Sequence, residues 1–175
     1  MPTRETTETE QLIRQLQRVH EGEPWYGPSR GALLRDVTAA EAAWEPGGGA
    51  HGIWDQVLHM RNWTREVEAR ITGERPDGSG VPVGGDWPER PPATEAAWRE
   101  TLESLDAAHA SLVAVIRTLT PERLRSAVGS PDAQGPGSRI SVAATLRSIA
   151  DHDVYHAGQV SLLKRLARAA MQGER

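Results

Sequence analysis

Between Ser141 and Ala169, apolar residues return every three or four positions: Val142, Leu146, Ile149, Val160, Leu163 and Leu166. That spacing puts them on one face of an α-helix roughly 40 Å long, at about 1.5 Å per residue. A helix with one apolar face must bury it against other elements, and the rest of the chain supplies them. Leu12, Leu16 and Val19 form a stripe on a segment from about Thr7 to Glu21. Ile53, Val57, Met60, Thr64, Val67 and Ile71 form a second, from about Gly52 to Ile71. Trp98, Leu102, Leu105, His109, Leu112 and Ile116 form a third, from about Glu95 to Leu119. No stretch shows the period-2 alternation of a half-buried strand. Four long amphipathic segments predict an all-α four-helix bundle. With 175 residues the chain is long enough for one core and thin for two, so a single domain spanning 1–175 is expected.

Local signals agree with these boundaries. Thr7 and Glu10, and again Thr38 and Glu41, have the spacing of a capping box, in which hydroxyl and carboxylate satisfy free backbone N–H groups reciprocally. Short helical pieces are expected near Ala32 to Val37 and from Thr38 onward, between the breaks "GEPWYGPSR" and "PGGGAHG". Residues 73–92 contain five Gly and five Pro and predict a long exposed loop. Thr94 is placed to cap the third long helix, and "TPERL" offers a Thr cap followed by Pro at a first helical position. "GSPDAQGPGSR", residues 129–139, predicts a second loop.

The last stripe is interrupted. "ADHDVYHAGQVSLLKRL" places His152 and His156 four residues apart, between Ile149 and Val160. Side chains at i and i+4 of a helix are neighbours, and two imidazoles so placed can chelate one metal ion. Burying them without partners costs about 1–3 kcal/mol per polar group; a shared ion removes that cost. Asp153 follows the first histidine where a metalloprotease helix carries its general-base Glu, so the protease reading fits poorly. A third ligand must come from elsewhere. His59 lies at the edge of the second helix's stripe and His109 at the centre of the third's; geometry leaves both open.

Composition narrows the chemistry. The formal charge is −4 with basic residues dispersed, which argues against a phosphate-tracking nucleic-acid surface. There is no cysteine, so neither a thiolate metal site nor a protein thiol nucleophile is available, and any thiol chemistry needs a small-molecule thiol. The N-terminus has no apolar signal core and no 18-residue apolar run occurs, so a soluble cytoplasmic protein without membrane contact is expected.

"HDVYHAGQVSLLKR" and "IWDQVLHMRNW" resemble the C-terminal and second-helix motifs of the DinB-like superfamily of small bacterial metal-binding bundles, which is distinct from the DNA polymerase of that name. "WYGPS", "DWP" followed by "TEAAWRETL", and the order of segments also match, over about Leu12 to Leu166. The resemblance implies a divalent metal (nickel, zinc, iron or manganese) held by His59, His152 and His156, with His109 left to the core or to a supporting role. It also implies a homodimer. Relatives include bacillithiol-dependent S-transferases and a mycothiol-dependent isomerase, so a low-molecular-weight thiol and a small electrophile are the implied substrates. A non-catalytic stress-associated dimer and a metal-dependent hydrolase are the alternatives. Relatives often carry His where this chain has Tyr26. Gln159, Trp63 and Tyr26 are the candidate substrate contacts, and Asp55 and Asp153 are candidate carboxylate partners for ligating rings.

Overall fold

The computed structural model describes residues 6–75, 80–128 and 140–173. Among them the chain forms helices and no strand: α1 (Glu8–His20), α2 (Arg30–Leu34), α3 (Ala39–Ala43), α4 (Ile53–Thr72), α5 (Glu95–Thr118), α6 (Pro121–Arg125) and α7 (Val142–Gly173). Both expected capping boxes are present, at Thr7 with Glu10 and at Thr38 with Glu41. Thr94 and Thr120 cap α5 and α6. The Asp55 carboxylate accepts the Gly52 N–H at 2.8 Å at the start of α4. That helix stops at Gly73, whose φ of 85° is the left-handed conformation glycine adopts most readily. The expected loop at 129–139 lies outside the described residues, as do 76–79 of the earlier one.

The four long helices close a ring: α4 packs on α5 and α7, and α1 packs on the same two from the other side. The short α2 lies against α7 and α1, α3 lies against α4, α5 and α7, and α6 against α7. No described helix is long and apolar enough to cross a membrane.

The stripes of α1 and α4 are buried as expected, and that of α5 is buried apart from the half-buried Leu102. On α7 the buried line is different. It runs Val142, Leu146, Ile149, Asp153, His156, Val160, Leu163 and Ala167, alternating steps of four and three. That rhythm, near 3.5 residues per turn, keeps one seam facing the bundle axis. It places Asp153, not His152, on the interior line, and it leaves Leu166 largely exposed while Ala167 is fully buried. His152 sits at the flank, half-buried.

Two apolar clusters result. One gathers Leu33, Leu34, Trp54, Val57, Trp98, Leu105, Val160 and Leu163; the other gathers Leu12, Leu16, Val67, Leu112, Ile116, Leu146 and Ile149. Each such side chain, fully buried, contributes about 1.5–3 kcal/mol. On α5 and α7 the chain passes from one cluster to the other at polar residues: His109 on α5, and His152, Asp153 and His156 on α7. A polar layer therefore interrupts the apolar interior midway along the bundle, and buried polar groups need partners within it.

Candidate metal centre

α4 and α7 bring His59, His152 and His156 together, with one ring nitrogen of each within 4.8 Å of the others. His59 Nε2 lies 2.9 Å from His152 Nε2, and His156 Nε2 lies 3.1 Å from it. Nitrogens about 2.1 Å from a common ion at ordinary coordination angles stand about 3.0–3.4 Å apart. Among the described residues no carboxylate completes a larger cluster with these three.

The outward-facing nitrogens decide what the inward ones are. His59 Nδ1 donates to the Asp86 carbonyl oxygen at 2.8 Å. His156 Nδ1 donates to the amide oxygens of Gln56 at 2.6 Å and Gln159 at 2.8 Å. These oxygens only accept, so both Nδ1 atoms carry the proton, and a neutral ring then keeps its lone pair on Nε2. Both rings are neutral at neutral pH: burial, followed by the adjacent His152 and His59, lowers His156 to about 4. His59 is also lowered, chiefly by burial. Two lone pairs thus converge on His152 Nε2. One proton there can satisfy one of them, whereas a cation satisfies all three. The donor set fits a divalent metal of intermediate softness.

The loop between α4 and α5 braces this arrangement. Asn62 Nδ2 donates to the carbonyls of Val83 (3.3 Å) and Gly85 (3.2 Å). Trp63 Nε1 donates to Asp86 Oδ1 at 2.8 Å. The Trp87 ring lies between two imidazoles, 3.6 Å from His51 and 4.1 Å from His59, centroid to centroid.

Of the candidate substrate contacts, Trp63 has its ring 6.3 Å from His59 and 6.2 Å from His152. Gln159 is placed as a hydrogen-bond partner of His156. Tyr26 lies on the α1–α2 loop, partly exposed, in edge contact with the exposed Trp25. Asp55, besides capping α4, pairs with Arg90 Nε at 3.1 Å. Asp153 Oδ1 is 3.7 Å from His152 Nδ1. His109 is apart from the triad. It stacks on His20 at 3.9 Å, and both line a cleft of about 640 Å³ between α1 and α5.

Trp87, Asp86, Gln56 and Arg30 were not singled out from the sequence. Gln56 had a usable signal, since it precedes His59 by three residues and so shares its face. Asp86 and Trp87 follow no period, and their one signal was the "DWP" segment of the family resemblance.

Comparison with curated proteins and with solved structures gave no match. The sequence profile of the DinB superfamily matches residues 31–160, a span holding all three histidines and the loop that braces them. With that match over most of its length, an all-α bundle, and a histidine triad contributed by its second and last long helices, the chain belongs to the DinB superfamily.

Proposed function

We propose that the protein binds a divalent metal ion through His59, His152 and His156 and acts as a thiol S-transferase on small electrophiles. The observation that carries the metal reading is the convergence of three Nε2 atoms, two with lone pairs fixed inward by oxygen acceptors behind them. Bound there, a divalent ion supplies positive charge that lowers the pKa of a thiol brought to it.

The chain's own residues shape the rest. Asp86 and the two glutamines hold the Nδ1 protons of His59 and His156, so neither ring is free to take the thiol proton, which leaves to solvent. His152, the most exposed of the three, marks the open side. Trp63 gives that side an aromatic wall, and Trp87 packs against His59 and His156. With no cysteine in the chain, the sulfur comes from a small molecule. Its thiolate forms the new C–S bond as the electrophile's leaving group departs with the bonding electron pair.

Metal analysis of purified protein, followed by a conjugation screen of low-molecular-weight thiols with and without chelator, tests the proposal. Chelator-sensitive conjugation is expected. Stoichiometric metal without turnover of any thiol would favour a non-catalytic metal-binding protein, and chelator-sensitive ester or amide cleavage a hydrolase. The proposal includes a cytoplasmic homodimer, for which the exposed Trp25, Tyr155 and Leu162 offer apolar surface. Light scattering should give twice the chain mass of 19.1 kDa.

A further inference from the structure

We infer that Arg30 and Asp153 are a positioning pair for His152, with Arg30 aiming the Asp153 carboxylate at the Nδ1 of that ring; this rests on the metal reading of the triad. Arg30 opens α2, yet its side chain is 2% exposed, buried in the polar layer of the bundle. Its Nη1 pairs with Asp153 Oδ2 and its Nη2 donates to His20 Nδ1 at 2.7 Å. Only a hydrogen-bond acceptor can face that donor, so His20 keeps its own proton on Nε2. His20 in turn is stacked on His109. The guanidinium is therefore held from behind while it holds one oxygen of the carboxylate in front.

The other oxygen is the informative one. Four buried side-chain nitrogen or oxygen atoms lack a hydrogen-bond partner among the described residues, and two of them are Asp153 Oδ1 and His152 Nδ1. These two lie 3.7 Å apart. That is about 0.8–1 Å beyond a charge-assisted hydrogen bond. In the inferred arrangement the His152 ring turns toward the carboxylate, which closes the gap and satisfies both atoms. It also fixes the proton on Nδ1 and directs the Nε2 lone pair at the point where those of His59 and His156 converge. All three rings are then oriented from behind: His59 by a backbone carbonyl, His156 by two amides, His152 by a carboxylate. Asp153 alone carries charge, and Arg30 keeps that charge tolerable in the interior.

A purely structural ion pair predicts no change in metal affinity once both charges are removed. Replacing one member of a buried pair strands the other charge, so Asp153→Asn is accompanied by the double variant Arg30→Met with Asp153→Asn, which removes both charges at once. Zinc affinity of the metal-free proteins is measured by competition with a chromophoric chelator, and the cobalt forms are compared by visible absorption. We expect the double variant to bind zinc about 10–100-fold more weakly than wild type, with altered cobalt bands, and the single variant Arg30→Lys, which keeps a cation beside Asp153, to retain most of the wild-type affinity. An independent measurement needs no variant: in zinc-loaded wild type, long-range imidazole nitrogen–proton spectra should show an exchange-protected proton on His152 Nδ1. Unchanged affinity and cobalt bands in the double variant, or a His152 Nδ1 proton in rapid exchange with water, overturns the inference. Wild type that binds no metal, or a His156→Ala variant that binds as well as wild type, overturns the metal reading instead.

Discussion

The indole of Trp87 lies nearly parallel to the imidazole of His59, at an interplanar angle of 18°, with His51 on its opposite face at 7°. A residue from a loop rich in Gly and Pro is thus the planar support of a ring on α4. Aromatic stacking contributes about 0.5–1.5 kcal/mol beyond area burial. Trp87→Ala should therefore lower the urea midpoint modestly and loosen His59 more than His156, which has its own amide partners. Chemical-shift or exchange measurements on the two histidine rings in the metal-free protein check this; equal disturbance of both would refute it.

His156→Ala should abolish stoichiometric metal and any thiol-transfer activity while leaving a helical protein. The reason is the division of the core: Trp54, Leu105, Leu112, Ile116 and Leu146 are buried in apolar clusters that do not depend on the histidine. Circular dichroism and metal content on one sample decide it. An unfolded variant would make the site structural, as in a zinc finger.

Metal should stabilise the native state by mass action, about 2.7 kcal/mol at a hundredfold excess over the dissociation constant. Thermal unfolding of wild type should rise with added ion and return on chelation, while His156→Ala shows neither response.

Acid should destabilise the fold before the carboxylates titrate. Burial, then the Arg30 charge, lowers His20 to about 3 and His109 to about 4 in the folded protein. The unfolded chain takes up these protons near pH 6.5. Protons therefore bind the unfolded state preferentially between about pH 6.5 and 4, and stability falls as pH falls through that window. Urea midpoints of metal-free protein from pH 7 to 4.5 should decline, and His109→Gln should flatten the decline. A midpoint independent of pH across that range would contradict the burial of neutral rings.

The period of the apolar residues was sufficient to predict four long helices, because a 3.6-residue repeat is a local property that each segment displays alone. Thr7, Thr38 and Thr94 marked helix starts for the same reason: capping is settled within one turn. The i, i+4 spacing announced His152 and His156 as a pair. Choosing His59 over His109 was beyond periodicity, since both lie on helix faces that meet the core. The resemblance of the α4 motif pointed to His59, and the ring order of the bundle gives the physical reason, setting α4 and α7 side by side at the triad and turning His109 toward His20 on α1.

What no stretch of sequence displays is the support behind the rings. Arg30 and Asp153 are 123 positions apart, and His59 and the Asp86 carbonyl 27. Such pairs follow no repeat, because they arise only when distant helices and loops pack together. The one-residue shift that puts Asp153 on the interior line of α7, and His152 at its flank, came likewise from the way that helix winds against its neighbours. The sequence by itself determined the helices and the histidine pair, through interactions within a few turns. The motif on α4 already marked His59 as the third ligand through the family resemblance; the tertiary structure alone decided how the rings meet and which buried oxygens hold them in place, because burial forces each polar group to find its partner in space rather than along the chain.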